Sequence, residues 1–249
     1  MLLIDVHAHL HFSAFDKDLD SVLDRAKRIG VVKIINSGTD PNGNRLTLNL
    51  SGKYEIIGAS LGLYPTLVDK FSGEQINEEL EFIKSKKNFI LSIGECGLDY
   101  QESDSKDKQK LMFNKVIELA EKINKPIIVH SRKAELDAIE MLESSKLKKI
   151  VLHCFSARKS LIKRAADNGW SFSIPPVVTR LQHFQTLAEM VNLSQLLTET
   201  DAPYLSPYPG ERNEPAFVIE AIKKIAEIKR MTPEDVANNI YMNYTNMFL

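Results

Sequence analysis

Six side chains of the kinds that bind metal ions follow separate apolar segments, and their distribution restricts the fold more than any other feature of the chain. They are four histidines and two acids, namely His7, His9, Glu95, His130, His153 and Asp201. In a barrel of parallel strands the carboxyl ends of all strands meet at one rim, where the catalytic side chains lie. Residues this far apart in the sequence form one site only if the segments before them are parallel strands that converge.

The apolar segments alternate with segments of helical periodicity. Eight of them predict strands: Leu2–Val6, Val31–Asn36, Ile56–Leu61, Phe89–Gly94, Pro126–His130, Lys149–His153, Trp170–Ile174 and Leu196–Thr200. Between them apolar residues recur at helical spacing, as Phe113, Val116 and Ala120 do. A doubly wound open sheet would show the same alternation, but it would spread the six side chains too widely. We therefore predict an α/β fold, a TIM (β/α)8 barrel.

Length, charge and cysteine content set the outer limits. With 249 residues and 43% hydrophobic content, the chain can bury a large core, and we expect one domain over residues 1–249. The net charge of −1 creates no overall field that would attract a polyanion. We find neither a secretory signal nor an apolar run long enough to span a membrane, and the two cysteines do not suggest a disulfide framework. We expect a cytoplasmic protein that does not bind membranes.

The positions of the six side chains favour metal binding over packing. His7 and His9 are two residues apart, so an extended segment points both imidazoles to one side. Glu95 closes an apolar run, where a carboxylate is costly unless a cation pairs with it. The positive charge comes either from two metal ions that Glu95 bridges or, as a structural alternative, from an arginine. His130 and His153 would each be ordinary core histidines alone, but adjacent strands place them side by side.

The number of donors indicates the class of site. The four imidazoles and two carboxylates exceed the ligands of one tetrahedral ion, whereas two divalent ions roughly 3.5–4 Å apart can share Glu95 and use all six. We expect a bridging hydroxide as the nucleophile, with Asp201 and Glu95 as the catalytic residues, because Asp201 can also accept a proton from the attacking water. Imidazole ligands suit Zn²⁺ or Mn²⁺ better than Mg²⁺, but the ion stays open. The chain lacks the GxSxG, Walker A and GxGxxG motifs, which argues against serine hydrolases, P-loop proteins and Rossmann enzymes.

Neighbouring side chains receive simpler interpretations. Cys96 and Cys154 each follow a candidate ligand directly, so strand alternation should turn both thiols to the opposite face. Glu199 is expected to be structural or to support a ligand. His183 lies in a helical segment without partners and should be a surface residue.

The loops after the metal-bearing strands are basic, and this favours a phosphate substrate. Arg132 follows His130, and Arg212 follows Asp201 after a longer loop. We expect both arginines to hold a phosphate next to the reacting group, because guanidinium groups bind phosphate with paired hydrogen bonds.

Seven blocks of the sequence, in order and over nearly the whole chain, resemble the signature blocks of the TatD family of metal-dependent deoxyribonucleases. They are Asp5–Leu10, Gly62–Pro65, Gly94–Tyr100, Pro126–Arg132, His153–Ser156, Glu199–Tyr204 and Arg212–Pro215. The resemblance implies a barrel of the amidohydrolase type that hydrolyses DNA as a 3′ to 5′ exonuclease, with single-stranded ends as the expected substrate, in repair or turnover of DNA. The implied ligand sets are His7, His9, Glu95 and Asp201 for one ion and Glu95, His130 and His153 for the other. Tyr64 stands where the family usually has histidine, and we expect it to contact the substrate.

Two other functions stay open. An amidohydrolase that acts on a cyclic amide or ester would use the same metal cradle, which polarises a carbonyl equally well. A metal-stabilised binding protein without catalysis is the third possibility. The sequence indicates no obligate protein partner, and it leaves open the choice of DNA or RNA, the polarity of digestion and the oligomeric state.

Overall fold

A ring of eight parallel strands forms the centre of the protein, whose computed structural model describes residues 1–249. The strands are β1 (Leu3–Ala8), β2 (Val31–Ser37), β3 (Ile57–Leu61), β4 (Ser92–Asp99), β5 (Ile127–Arg132), β6 (Ile150–His153), β7 (Ser171–Ile174) and β8 (Leu196–Thr198). Each strand pairs with the next one in the sequence. Backbone hydrogen bonds from Asp201 to His7 and from His9 to Ala202, both 2.8 Å, join the segment after β8 to β1. The ring is therefore nearly closed, and the predicted barrel is confirmed.

Helices surround the ring. They are α1 (Leu19–Arg28), α2 (Pro41–Lys53), α3 (Gly73–Ser85), α4 (Lys106–Ile123), α5 (Glu135–Glu143), α6 (Lys159–Asp167), α7 (Gln182–Met190), α8 (Val218–Lys229) and α9 (Pro233–Phe248). The last begins as its sequence dictates: the Thr232 hydroxyl accepts a hydrogen bond from the Asp235 N–H at 3.1 Å, and Pro233 occupies the first turn. None of the helices combines the length and the apolar character needed to cross a membrane.

The core lies on both sides of the strands, because helices cover the outside of the ring and side chains fill its inside. In β6, for example, Ile150, Val151 and Leu152 have no exposed surface. A charged side chain in such an interior is costly unless it is paired. This confines the candidate ligands to the rim, where they can meet one another and water.

The fourth strand differs from its predicted bounds. It begins at Ser92 rather than Phe89, whose side chain is 70% exposed in the turn after α3, and it continues to Asp99. Glu95 therefore lies within β4 and not at its end. The register of β4 against β5 shifts between Ile93 and Cys96, and an irregularity of this kind re-aims a side chain. That shift explains how a residue inside the strand reaches the rim.

Candidate metal centre

The structure brings the six sequence-predicted ligands together at the carboxyl-terminal rim of the barrel. Five of them line a cavity of about 860 Å³: His9, Glu95, His130, His153 and Asp201. His7 lies beside them and is fully buried. The side chains form two groups of donors, which are described in turn.

The first group comes from β1 and from the segment after β8. The Nε2 atoms of His7 and His9 are 3.2 Å apart, as expected for two residues whose side chains share one face of a strand. Oδ1 of Asp201 lies 3.7 Å from the first of these nitrogens and 3.3 Å from the second. The Asp201 side chain is 14% exposed to the cavity, so water can reach it.

The second group comes from the neighbouring strands β5 and β6. Nδ1 of His130 and Nε2 of His153 are 3.4 Å apart. The two imidazoles therefore turn different ring nitrogens toward each other. The spacing of the strands alone does not predict which nitrogen each histidine uses. The hydrogen-bond partners of their other nitrogens account for this choice.

Glu95 stands between the two groups and turns one carboxylate oxygen to each. Its Oε2 is 3.4 Å from Nε2 of His7 and 3.3 Å from Nε2 of His9. Its Oε1 is 3.1 Å from Nδ1 of His130 and 3.2 Å from Nε2 of His153. No arginine pairs with this carboxylate, so the structural alternative raised by the sequence does not hold. Each oxygen of this carboxylate therefore lies among a separate pair of imidazole nitrogens.

The donor set fits divalent metal ions. Nitrogen and oxygen ligands lie about 2.0–2.2 Å from Zn²⁺, so tetrahedral geometry separates neighbouring ligand atoms by roughly 3.3–3.6 Å. The separations within both groups lie between 3.1 and 3.7 Å. Imidazoles combined with carboxylates are also ligands that Zn²⁺ and Mn²⁺ accept.

Oxygen atoms behind the first group orient its imidazoles. Nδ1 of His9 donates to the Ser37 carbonyl oxygen at 2.9 Å, and the Ser37 hydroxyl lies 3.1 Å from Nδ1 of His7. A hydrogen bond at one ring nitrogen leaves the other nitrogen free to act as a ligand. One residue of β2 therefore orients both His7 in β1 and His9, which directly follows the strand.

Carboxylates do the same for the second group. Nε2 of His130 lies 3.0 Å from Oδ2 of Asp99, which also accepts a hydrogen bond from the Tyr64 hydroxyl at 2.9 Å. Nδ1 of His153 lies 3.2 Å from Oε2 of Glu199. The expectation that Glu199 supports a ligand agrees with this contact. Asp99 was not singled out from the sequence, although it lies within a quoted block.

The electrostatics of the site favour a positive charge at its centre. Burial alone would lower the pKa of His9, but Asp201 and Glu95 raise it to about 10. Burial would raise the carboxyl pKa of Asp99, yet the contacts with His130, the backbone N–H of Glu102 and Tyr64 lower that pKa to about 2. Ionised carboxylates thus surround the imidazoles, and a divalent cation would neutralise them.

One expectation about a neighbouring residue was wrong. Cys154 lines the cavity instead of facing away, because the chain leaves β6 there with φ of 44°, and strand alternation ends at that point. His183 is exposed, as expected of a surface residue, and it also lines the cavity because α7 begins over the rim. Cys96 is buried as expected.

The predicted substrate residues lie in different places. Tyr64 and Arg132 line the cavity. Arg212 does not; both of its terminal nitrogens bond to Asp18 at 2.6–2.9 Å, and its guanidinium lies 4.5 Å from the Phe15 ring centroid. The long loop after Asp201 carries Arg212 to the side of α1, so proximity in sequence does not bring it to the site.

Comparison with known proteins supports the resemblance to the TatD family over nearly the whole chain. The family model described as TatD related DNase matches residues 4–249. An uncharacterized metal-dependent hydrolase of Methanocaldococcus jannaschii is 38% identical over 245 residues, which cover 98% of this chain and 96% of that protein. The human protein named deoxyribonuclease TATDN3 is 31% identical over 258 residues, covering 99% of this chain and 94% of its own.

Among solved structures, the chain is similar to YJJV, a TatD homologue from Escherichia coli K12. The two superimpose with a TM-score of 0.92 at 26% identity, over 99% of this chain and 97% of the other.

Proposed function

The chain belongs to the family of TatD-related DNases and is a metal-dependent hydrolase, and we propose that it is a deoxyribonuclease that hydrolyses phosphodiester bonds of DNA. The observation that carries the proposal is the divided carboxylate of Glu95, with one oxygen 3.3–3.4 Å from two imidazoles and the other 3.1–3.2 Å from two more. Two cations held on either side of this carboxylate would suit the hydrolysis of a phosphodiester, in which negative charge must be neutralised on both sides of the phosphorus. The human relative's name supports DNA as the substrate.

Two divalent ions would occupy the two donor groups, with Glu95 shared between them. His7, His9 and Asp201 would complete one set, and His130 with His153 the other. When bound, the ions would lower the pKa of a water molecule and offset charge on the phosphodiester oxygens. Zn²⁺, Mn²⁺ and Mg²⁺ are the candidates, and the first two suit imidazoles better.

The chain's own residues have separate tasks in this proposal. Asp201, partly exposed to the cavity, orients the attacking water and accepts its proton. Arg132 binds a phosphate next to the scissile one, since it lines the cavity and its side chain is 55% exposed; Nη1 bonds to Glu102 at 3.1 Å, and the remaining N–H groups of the guanidinium face the phosphate in this proposal. Tyr64 lines the cavity too, but its hydroxyl is bonded to Asp99, so its substrate contact would come from the ring. Arg212 is not part of the proposal, because its position against Asp18 keeps it from the cavity.

The proposal also covers the mode of action and the setting. We propose a 3′ to 5′ exonuclease that acts on single-stranded ends; the family resemblance is its support. A role in DNA catabolism and a cytoplasmic location complete the proposal, and the two free thiols, Cys96 and Cys154, suit a reducing compartment. We propose that residues 1–249 act as one domain.

The test offers one metal-loaded preparation several substrates. We expect a 5′-labelled single-stranded oligodeoxynucleotide to shorten stepwise from its 3′ end, while panels of cyclic amides and lactones stay intact. An RNA of the same sequence is a further arm. Hydrolysis of an amide or lactone with intact DNA would favour the amidohydrolase alternative. Retention of DNA without cleavage across several divalent ions would favour a binding protein.

A variant separates the active site from a contaminating nuclease. We expect Asp201→Asn to abolish turnover with an unchanged circular dichroism spectrum, because the amide cannot accept the proton. Asp167→Asn is the matched control, since Asp167 pairs with Lys163 on the exposed face of α6. It should retain full activity.

A further inference from the structure

Two aromatic rings of the active-site cavity have no part in the proposed hydrolysis. Phe12 and Tyr204 both line the cavity, and their ring centroids are 6.2 Å apart at an interplanar angle of 72°. Phe12 lies nearly parallel to the imidazole of His9, with centroids 4.9 Å apart. The pair therefore adjoins the metal centre. We propose that Phe12 and Tyr204 form a platform that binds the nucleobase of the nucleotide at the scissile bond; this rests on the proposed deoxyribonuclease activity.

The cavity has a mainly apolar side and a mainly charged side, so the base and the phosphates of a nucleotide would bind at different sides. Most apolar side chains come from the segments after β7, β8 and β1, which are consecutive in the ring, whereas Tyr64 and Leu67 come from the loop after β3; the first set is Leu181, Phe184, Tyr204, Leu205 and Phe12. Charged side chains come from the loops after β3, β4 and β5 on the other side: Lys70, Glu102, Arg132, Lys133 and Glu135. A base with apolar faces suits the first side, and a phosphate chain suits the cations of the second.

Tyr204 remains exposed although its backbone is firmly held. The side chain is 56% exposed, a large fraction for an aromatic residue. Its N–H donates to the Asp201 carbonyl at 2.9 Å, and its carbonyl accepts from Nδ2 of the buried Asn213 at 2.6 Å. The same amide group donates to the Thr200 carbonyl at 2.7 Å. One buried side chain thus fixes the turn that bears both Asp201 and the exposed ring.

The next residue shows that the turn is also strained. Leu205 has φ of 54°, in the left-handed region that a leucine rarely adopts. Such strain persists only where the surroundings enforce it, and it is concentrated at ligand sites. Packing does not account for the position of Tyr204, because more than half of its side chain faces solvent. An aromatic side chain on a fixed backbone has only two rotatable bonds, so it loses little entropy when a flat ligand stacks on it.

Stacking suits a nuclease without sequence preference. Every base presents a π-face, so aromatic platforms hold single strands regardless of sequence, and removing one ring typically weakens binding about ten-fold. The platform would place the terminal base against Phe12 while its phosphate reaches the metal centre. The ligand class is therefore a nucleotide that carries its base, as opposed to a simple phosphodiester.

The experiment compares two substrates that differ only in their bases. One is a single-stranded oligodeoxynucleotide, and the other is a chain of the same length in which tetrahydrofuran replaces every nucleoside. Both keep the phosphodiester bonds. For the wild type we expect kcat/KM on the oligodeoxynucleotide to exceed kcat/KM on the abasic chain by at least about ten-fold, because the abasic chain loses its contacts with both rings.

Variants of Tyr204 test whether its ring causes the preference for the substrate that carries bases. Tyr204→Ala should lower kcat/KM on the oligodeoxynucleotide about ten-fold and leave kcat/KM on the abasic chain unchanged. Tyr204→Phe keeps the ring and should have the wild-type kcat/KM on both substrates. Tyr208→Ala is the matched control, because Tyr208 is 41% exposed nearby but packs on Phe217 outside the cavity. It should change neither rate.

The outcomes distinguish the platform from the activity on which it rests. Equal rates on both chains, or an equal loss on both in Tyr204→Ala, would overturn the platform while leaving the deoxyribonuclease in place. Absence of cleavage of either chain by the metal-loaded wild type would overturn the proposed function, and the platform with it.

Discussion

Asp99 lies 3.0 Å from Nε2 of His130, and this hydrogen bond decides which nitrogen of the imidazole faces the metal centre. With a proton on Nε2, the lone pair belongs to Nδ1, which is 3.1 Å from Oε1 of Glu95. The other carboxylate oxygen of Asp99, Oδ1, accepts hydrogen bonds from the backbone N–H groups of Gln101 and Glu102, with N–O distances of 2.9 Å. These bonds fix the Asp99 side chain at the end of β4.

Replacing this acid should therefore weaken one metal position. Asp99→Asn keeps an oxygen for the backbone N–H groups, but its amide nitrogen cannot accept a hydrogen bond from Nε2 of His130. We expect the affinity for one of two ions to fall about 10- to 100-fold, the usual effect of losing a partner behind a metal ligand. Calorimetric titration of the metal-free protein measures this.

Asp137→Asn is the control for that titration. Asp137 also accepts a hydrogen bond from a tyrosine hydroxyl, that of Tyr100, at 2.8 Å, but it contacts none of the six candidate ligands. Its metal affinities should equal those of the wild type. Equal affinities in Asp99→Asn would show that Asp99 does not orient His130.

The two arginines expected at the substrate should now behave differently. Arg132→Ala should raise KM for DNA about ten-fold and make the slope of log affinity against log salt about 0.7 less negative, as for one lost phosphate contact to a single strand. Arg212→Ala should leave KM unchanged, because its guanidinium is bonded to Asp18. It should lower the free energy of unfolding by at most about 1 kcal/mol. A larger KM effect for Arg212→Ala than for Arg132→Ala would reverse this assignment.

These residues show what a sequence can and cannot predict about the site. The strands and the six candidate ligands were predictable, because strand periodicity and the chemistry of a donor are local properties. The position of Arg212 was not, since it depends on the path of a long loop toward α1. Cys154 escaped prediction for a related reason: strand alternation ends where a strand ends, and the sequence does not mark that residue.

The fourth strand illustrates a second limit. The apolar run from Phe89 predicts an early start, but in the structure that residue belongs to the turn before the strand. The true strand contains Gly94 and Gly97, which the periodicity of apolar side chains does not detect. The same misplacement hid Asp99, the last residue of β4, whose contact with His130 depends on the register of two strands.

A glycine of this strand should be intolerant of substitution. A Cβ at Gly97 would lie 2.0 Å from the His130 carbonyl oxygen, and its φ of 136° disfavours any side chain. We expect Gly97→Ala to lower the free energy of unfolding by roughly 2–3 kcal/mol, as measured by urea denaturation.

Gly52→Ala is the matched substitution with the opposite sign. Gly52 lies in α2, and a Cβ there meets no atom within 4 Å. Alanine should raise the free energy of unfolding by about 0.5 kcal/mol, because it restricts the unfolded chain. An unfolding midpoint for Gly97→Ala at the same urea concentration as the wild type would contradict the close approach of β4 to β5, and the Gly52→Ala result shows whether the assay detects changes of this size.

The most direct test of the account is the number of divalent ions that one chain binds. Metal-free protein would be titrated calorimetrically with Zn²⁺ and with Mn²⁺, and the bound metal counted by mass spectrometry. We predict two ions per chain for the wild type and for the control variant Glu118→Gln, because Glu118 is exposed on α4. Glu95→Gln should bind at most one ion and lose DNA hydrolysis. A wild type that binds one ion or none, or a Glu95→Gln variant that binds two and remains active, would contradict the bridging carboxylate.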